Sequence, residues 1–359
     1  MALGIILGTR PEIIKMGPII RLCEKRSVPY YLLHTGQHYS YEMDQAFFRD
    51  LELPEPRINL NVGSGTHAEQ TASIMVGVEK TLQKEDTGVA LVQGDTNTVL
   101  AGALAAAKLQ VPVGHVEAGL HSYDRGMPEE INRVVADHLS DFLFAPTEES
   151  KRNLLKEGIP DERIHVTGNT VVDAVHQNLE LAKEKSTILK KLSLEPGQYM
   201  VVTAHRAENV DRRDRLTGII EGLGLVAEHL DQPIIYPVHP RTQKMIKEFR
   251  LTTRNLKIVQ PLGYLDFLAL EASSSLVLTD SGGVQEEACI LGVPCVTLRE
   301  NTERPETLQV GSNVLVGAEP ERILQGALEM SRRKRGWPNP FGDGNAAEKI
   351  IKIIEESRN

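Results

Sequence analysis

Carboxylates are the first residues in this chain with the type and spacing to do chemistry. Asp95 stands in Gln93-Gly94-Asp95-Thr96, Glu117 in His115-Val116-Glu117-Ala118-Gly119, and Glu129 with Glu130 directly behind Pro128. Carboxylates that share a site push one another's pKa values apart, so one can serve as acid and another as base. Asp95 and Glu117 fit that chemistry; for Glu130, capping a helix is as good a reading. Cations come next. Arg10 lies in Gly8-Thr9-Arg10-Pro11-Glu12, and Lys15 follows one helical turn later. Two cations at a helix start attract an anion. His205, in Ala204-His205-Arg206, is placed to donate to a phosphate or to move a proton. The third group is Asp280-Ser281-Gly282-Gly283-Val284-Gln285-Glu286-Glu287. Paired glycines let backbone approach a ligand and allow positive φ, and the helix start offers bare amides to an anion. Glu287, about one turn into that helix, can accept hydrogen bonds from two sugar hydroxyls. A ligand with phosphates and a ribose fits this stretch. His115, His205 and His239 belong to different strands, without His-Glu-x-x-His or paired Cys, so no metal site is expected.

These residues must be gathered by strands that end at one edge of a sheet. The sequence supplies them. Leu3–Leu7, Val28–Thr35, Val89–Val92, Pro112–Val116 and Asp141–Ala145 read as strands, each followed by helical periodicity. Thr9 and Glu12 fit a capping box, with Pro11 in the first turn. Polar residues recur at the strand ends: Arg10, His38, Asp95, Glu117 and Glu129. In open parallel sheets those ends line the ligand crevice. Strand–helix alternation predicts a mostly parallel sheet covered on both faces, running to about Gly168. From Thr170 the same pattern repeats, with strands at Met200–Thr203, Pro233–Val238, Leu256–Val259, Leu276–Leu278, Pro294–Leu298 and Asn313–Val316. The fold class is α/β: two Rossmann-like doubly wound domains facing a central cleft. Gly222-Leu223-Gly224-Leu225-Val226-Ala227 matches G-x-G-x-x-A but falls inside a helix, so it is rejected as a dinucleotide fingerprint.

Bulk properties narrow the field. A chain of 359 residues exceeds what one core usually supports. A formal net charge of -9 argues against nucleic-acid binding. Cys23, Cys289 and Cys295 show no paired spacing and suit a reducing cytoplasm. Neither a signal peptide nor an apolar run long enough to span a membrane is apparent.

Seven motifs stand in order along almost the whole chain. They are Gly8-Thr9-Arg10-Pro11-Glu12, Gln93-Gly94-Asp95-Thr96, His115-Val116-Glu117-Ala118-Gly119, Pro128-Glu129-Glu130-x-Asn132-Arg133, His205-Arg206-x-Glu208-Asn209, Asp280-Ser281-Gly282-Gly283-x-Gln285-Glu286-Glu287 and Thr302-Glu303-Arg304-Pro305-Glu306. Any one is weak, but together they closely resemble the non-hydrolysing UDP-N-acetylglucosamine 2-epimerases. The resemblance implies a GT-B-like fold, with the last helix returning to the first domain: 1–168 plus 346–359, and 169–345. It implies a UDP-sugar substrate, no cofactor, a cytoplasmic homodimer, and a product that feeds surface-polysaccharide synthesis. Carried over by position, it implies that Ser281, Gly282, Gly283 and Glu287 hold diphosphate and ribose. Leu262 to Phe267 match the uracil pocket, which has Gln in some relatives where Leu262 stands here. Arg10, His205 and Arg304 match nucleotide-side or phosphate-side positions. Lys15, Asp95, Glu117 and Glu129 match sugar-side catalytic positions. His67-Ala68-Glu69-Gln70-Thr71 departs from the bacterial pattern, so the regulation of bacterial members by a second substrate molecule is not carried over.

The reaction expected is inversion at C2 of the sugar, through anti elimination of UDP to a 2-acetamidoglucal and re-addition. Which carboxylate is acid and which is base stays open. Three alternatives remain: a hydrolysing epimerase, an epimerase of a UDP-diacetamido-uronic acid, and a GT-B glycosyltransferase.

Overall fold

The run Leu3-Gly4-Ile5-Ile6-Leu7 is apolar at every position because it is covered on both faces, as central parallel strands are. The structure, a computed structural model, describes residues 1–37, 41–253 and 255–357. In it the chain divides into two compact units: Met1–Gln177 with Phe341–Asn359, and Asn178–Pro340. Among the described residues the first unit builds a seven-stranded sheet. Its strands are β1 (Ala2–Leu7), β2 (Tyr30–His34), β3 (Ile58–Asn59), β4 (Thr87–Gln93), β5 (Val113–Val116), β6 (Phe142–Ala145) and β7 (Ile164–Val166). All pairings are parallel, in the order β3-β2-β1-β4-β5-β6-β7. The order reverses between β1 and β4, and a doubly wound sheet binds its ligand at the carboxyl ends of strands at such a switch point.

The second unit repeats this design with β8 (Met200–Thr203), β9 (Ile234–Pro237), β10 (Leu256–Val259), β11 (Leu276–Thr279), β12 (Cys295–Thr297) and β13 (Asn313–Leu315). Their order is β10-β9-β8-β11-β12-β13, so the switch point falls between β8 and β11. Arg10 and Asp95 therefore follow the strands on either side of one switch point, and His205 and Ser281 those on either side of the other.

The edge strands β3 and β7 escape the sequence reading. β3 has two residues, and Pro54 and Pro56 beside it read as irregular chain. His38, expected at the end of the second strand, lies outside the described residues. The Gly222 stretch lies inside the helix Arg213–Leu230. A Cβ on Gly222 would come within 2.9 Å of Ile323, so this glycine admits the helix Pro320–Ser331. The last helix, Ala346–Glu356, buries Ile350, Ile351 and Ile354 in the first unit. Asp173 caps it by accepting from the amides of Ala346 (3.2 Å) and Ala347 (3.0 Å), satisfying donors that no helical carbonyl reaches.

Candidate functional site

In the first unit the turns after β1, β4 and β5 are bonded to one another. Glu12 is 2% exposed. Its Oε2 accepts from the amides of Gly8 (2.5 Å) and Thr9 (2.8 Å), as the capping box predicts. Its Oε1 is 2.5 Å from Thr96 Oγ1. One carboxyl group thus ties the Arg10 turn to the Asp95 turn. Burial pushes its pKa up to about 7, although these hydrogen bonds pull the other way. Arg10 itself lies with its guanidinium 5.6 Å from the centre of the Phe47 ring.

Lys15 and Glu117 are brought together. Lys15 Nζ is 2.5 Å from Glu117 Oε2, and Gln93 Nε2 donates to the same oxygen at 2.9 Å. Both side chains of the ion pair are largely buried, at 12% and 4% exposure. Such a pair survives burial only with added hydrogen bonds, and Gln93 supplies one. Asp95 sits one strand over, its carboxylate bonded to Arg133 and its backbone carbonyl to Asn132 Nδ2 at 2.9 Å. Its side chain is 31% exposed, so it remains open to solvent or ligand.

The backbone at Glu117 is unusual. Its φ is +70°, a region that costs a non-glycine residue roughly 1–2 kcal/mol. The amides of Glu117 and Ala118 both reach the carbonyl of Phe144 at 3.2 Å, which holds the turn. Gly119 follows at φ +76°, and a Cβ there would lie 2.4 Å from the Ser150 carbonyl oxygen, so only glycine fits.

Glu129 and Glu130 separate. Glu129 is exposed on the first turn of the helix Pro128–Leu139. Glu130 is buried and accepts from the Ser122 amide and hydroxyl, both at 2.9 Å, and lies 3.0 Å from His121 Nδ1. Burial opposes its charge, but these bonds outweigh burial and hold it below the usual carboxylate range. It fastens the loop after β5 instead of capping its own helix.

The second unit presents its groups differently. Asp280 is fully buried and accepts from the amides of His205 (3.1 Å) and Arg206 (3.0 Å) and from Asn209 Nδ2 (3.1 Å). This one carboxylate joins the turns after β8 and β11. The His205 side chain stays 47% exposed. Ser281 is the N-cap of the helix Gly282–Leu291. Neither Gly282 nor Gly283 has positive φ, so the left-handed backbone that paired glycines allow is not used here. A Cβ on Gly282 would meet nothing nearer than 3.9 Å, and on Gly283 nothing nearer than 4.0 Å. The fold itself does not require glycine here, and the first amides of a helix have no helical carbonyl to reach.

Glu287 Oε1 accepts from Tyr264 Oη at 3.0 Å. Beside it the buried Glu271 carboxyl is pushed well above the usual range by burial and then by the charge of Glu287. Leu262 and Phe267 line a cavity of about 250 Å³ together with His205, His239 and Val284. Arg304 Nε donates to Glu286 at 2.6 Å.

Sequence reasoning missed two hubs. Arg299, 4% exposed, donates to Glu208, to both oxygens of Glu303 and to Asn301. It stands two residues past β12, so the strand-end rule that selects Asp95 also selects Arg299. Asp280 was visible in the motif, but its role as the joint between two turns was not. Among the described residues no group of three or more His, Cys, Asp or Glu is arranged to hold a metal ion, and no helix is long and apolar enough to cross a membrane.

Comparison with known proteins points to one family. A family model described as UDP-N-acetylglucosamine 2-epimerase matches residues 21–355. The chain is 54% identical over 361 residues to the UDP-N-acetylglucosamine 2-epimerase of Methanocaldococcus jannaschii, spanning 99% of each. It is similar to the crystal structure of the M. jannaschii UDP-GlcNAc 2-epimerase in complex with UDP-GlcNAc and UDP, with a TM-score of 0.90 over 99% of this chain and 100% of that one. It is also similar to the UDP-GlcNAc 2-epimerase of Neisseria meningitidis bound to UDP-GlcNAc, at 34% identity and a TM-score of 0.90, covering 99% and 100%.

Proposed function

The chain belongs to the UDP-N-acetylglucosamine 2-epimerase family, and on that premise we propose that it interconverts UDP-N-acetylglucosamine and UDP-N-acetylmannosamine by inverting C2 of the sugar. One observation carries the reading. Just past the ends of the neighbouring strands β4 and β5 stand two carboxylates, each held by its own cation: Asp95 by Arg133, and Glu117 by Lys15. Adjacent strands lie about 4.8 Å apart, a spacing suited to two groups that work on one sugar ring.

The C2 hydrogen has no carbonyl beside it to make it acidic. Breaking the C1–O bond to UDP first leaves an oxocarbenium-like centre that does. The bonding pair departs with UDP, one carboxylate takes the C2 proton, and a 2-acetamidoglucal remains. UDP then adds back at C1 while C2 is protonated from the opposite face. We assign the C2 proton to Asp95 and Glu117, with Lys15 and Glu129 shaping the site. Nucleotide binding is assigned mainly to the second unit: Ser281, Gly282 and Gly283 for the diphosphate, Glu287 for the ribose, Leu262 and Phe267 for the base. Arg10, His205 and Arg304 are the cationic or proton-donating groups toward phosphate, stabilising the leaving group where its charge develops.

The test is incubation of the pure protein with UDP-GlcNAc alone in deuterium oxide, followed by NMR. UDP-ManNAc carrying deuterium at C2 is expected. Free ManNAc with UDP would assign the hydrolysing reaction instead, and an unchanged substrate would sink the proposal.

A further inference from the structure

His115 and Asp137 are both completely buried. His115 Nδ1 lies 2.6 Å from Asp137 Oδ1, and His115 Nε2 lies 2.8 Å from the carbonyl oxygen of Gly94. A carbonyl only accepts, so Nε2 carries a proton and donates it there. The second oxygen of Asp137 accepts from the amide of Gly119 at 3.1 Å. His121 Nε2 stands 3.6 Å from that same oxygen. Burial disfavours a charged imidazole, yet the charge and hydrogen bond of Asp137 together with the bond to Gly94 outweigh it and hold His115 above the usual histidine range. The partners at the two ends of this pair are the informative part. Gly94, at φ +84°, immediately precedes Asp95, and Gly119 ends the strained turn that begins at Glu117. The pair therefore grips from beneath the two turns that carry the two carboxylates.

We infer that the buried His115–Asp137 pair is a positioning device: it fixes the separation and aim of Asp95 and Glu117 and does not touch the substrate. This rests on the epimerase reading above. A misplacement of about 1 Å can cost a reaction on the order of 100-fold, while nucleotide binding, assigned mainly to the other unit, is left alone. Asparagine at position 137 keeps the shape. Its oxygen accepts from Gly119, its amide donates to Nδ1, and the neutral imidazole still donates through Nε2 to Gly94.

The experiment compares Asp137→Ala, Asp137→Asn and His115→Phe with the unaltered protein. It follows UDP-GlcNAc turnover by NMR, UDP binding by calorimetry and folding by thermal melts. Asp137→Ala and His115→Phe are expected to lower kcat roughly 10- to 100-fold, with KM and UDP affinity within about twofold. His115→Phe keeps the aromatic volume and serves if Asp137→Ala does not fold. Asp137→Asn is expected to restore kcat to within about threefold, because geometry and not charge is what the pair supplies. Loss of turnover in a well-folded Asp137→Asn, or normal kcat in His115→Phe, overturns the inference. No turnover by the unaltered protein would sink the epimerase reading instead, so the two failures are distinguishable.

Discussion

At the switch point of the first sheet the charged groups are already bonded to one another. Lys15 and Gln93 hold Glu117, Arg133 holds Asp95, and Glu12 joins the turns after β1 and β4. At the switch point of the second sheet the joint is buried. Asp280 anchors two turns, while the His205 side chain, Ser281, Gly282 and Gly283 are left partly or fully open, with room above both glycines. The contrast matches two kinds of work. Moving a proton needs groups whose pKa values and directions are fixed beforehand, so partners and burial are built into the fold. Holding a phosphate needs donors that stay unspent until the ligand arrives, so the fold withholds side chains there.

The largest expected effect is at Glu117. Glu117→Gln keeps the shape but removes the charge that Lys15 and Gln93 hold. It should lower turnover of UDP-GlcNAc roughly 1,000-fold, with UDP affinity by calorimetry nearly unchanged. An equal loss of UDP affinity would break the contrast, because it would put nucleotide binding and proton transfer on the same groups.

A smaller effect should come from the other region. Gly282→Ala adds a Cβ that meets no protein atom nearer than 3.9 Å. Alanine also costs less backbone entropy in a helix, so the melting temperature should hold or rise slightly. UDP binding should weaken about tenfold, equivalent to about 1.4 kcal/mol. A protein that binds UDP as before would show that the open amides are not where the diphosphate sits.

The smallest effect sharpens the idea of built-in partners, and it shows in stability. Glu12 is raised to about 7 from an ordinary 4.5, chiefly by burial. The folded protein therefore binds this proton more tightly than the unfolded chain does. The resulting stabilisation is fully present below pH 4.5 and is lost as pH rises through about 7. Glu12→Gln mimics the protonated form at every pH. The difference in melting temperature between the two proteins should shift in favour of the variant across that window. A pH-independent difference would show that Glu12 does not titrate there.

The strand ends were legible because strand ends are local. A short apolar run, a polar turn and a helix start announce themselves within a few residues, and so Arg10, Asp95, Glu117, His205 and Ser281 could be found one motif at a time. The capping box at Thr9–Glu12 was legible for the same reason, though its bond to Thr96 was not. The two-residue strand β3 gave no periodicity to detect. Arg299 stands at a strand end, but its role as a hub depends on Glu208, which lies 91 residues away in sequence.

Which residues stand at the ends of strands is a local matter, since φ/ψ preferences, turn chemistry and hydrophobic period act over one or two turns of chain. Partnership was decided by the tertiary structure. Lys15 meets Glu117 across 102 residues, Arg133 meets Asp95 across 38, and His205 meets Asp280 across 75. Each of these meetings depends on strand order and register: β1 lies against β4, β4 against β5, and β8 against β11. Glu117 also takes its left-handed backbone from the turn held by Phe144, Asp137 and Asn153, none of them near it in sequence. Local preference cannot specify such pairings, because their free energy appears only once whole strands have docked and the buried charges can find one another.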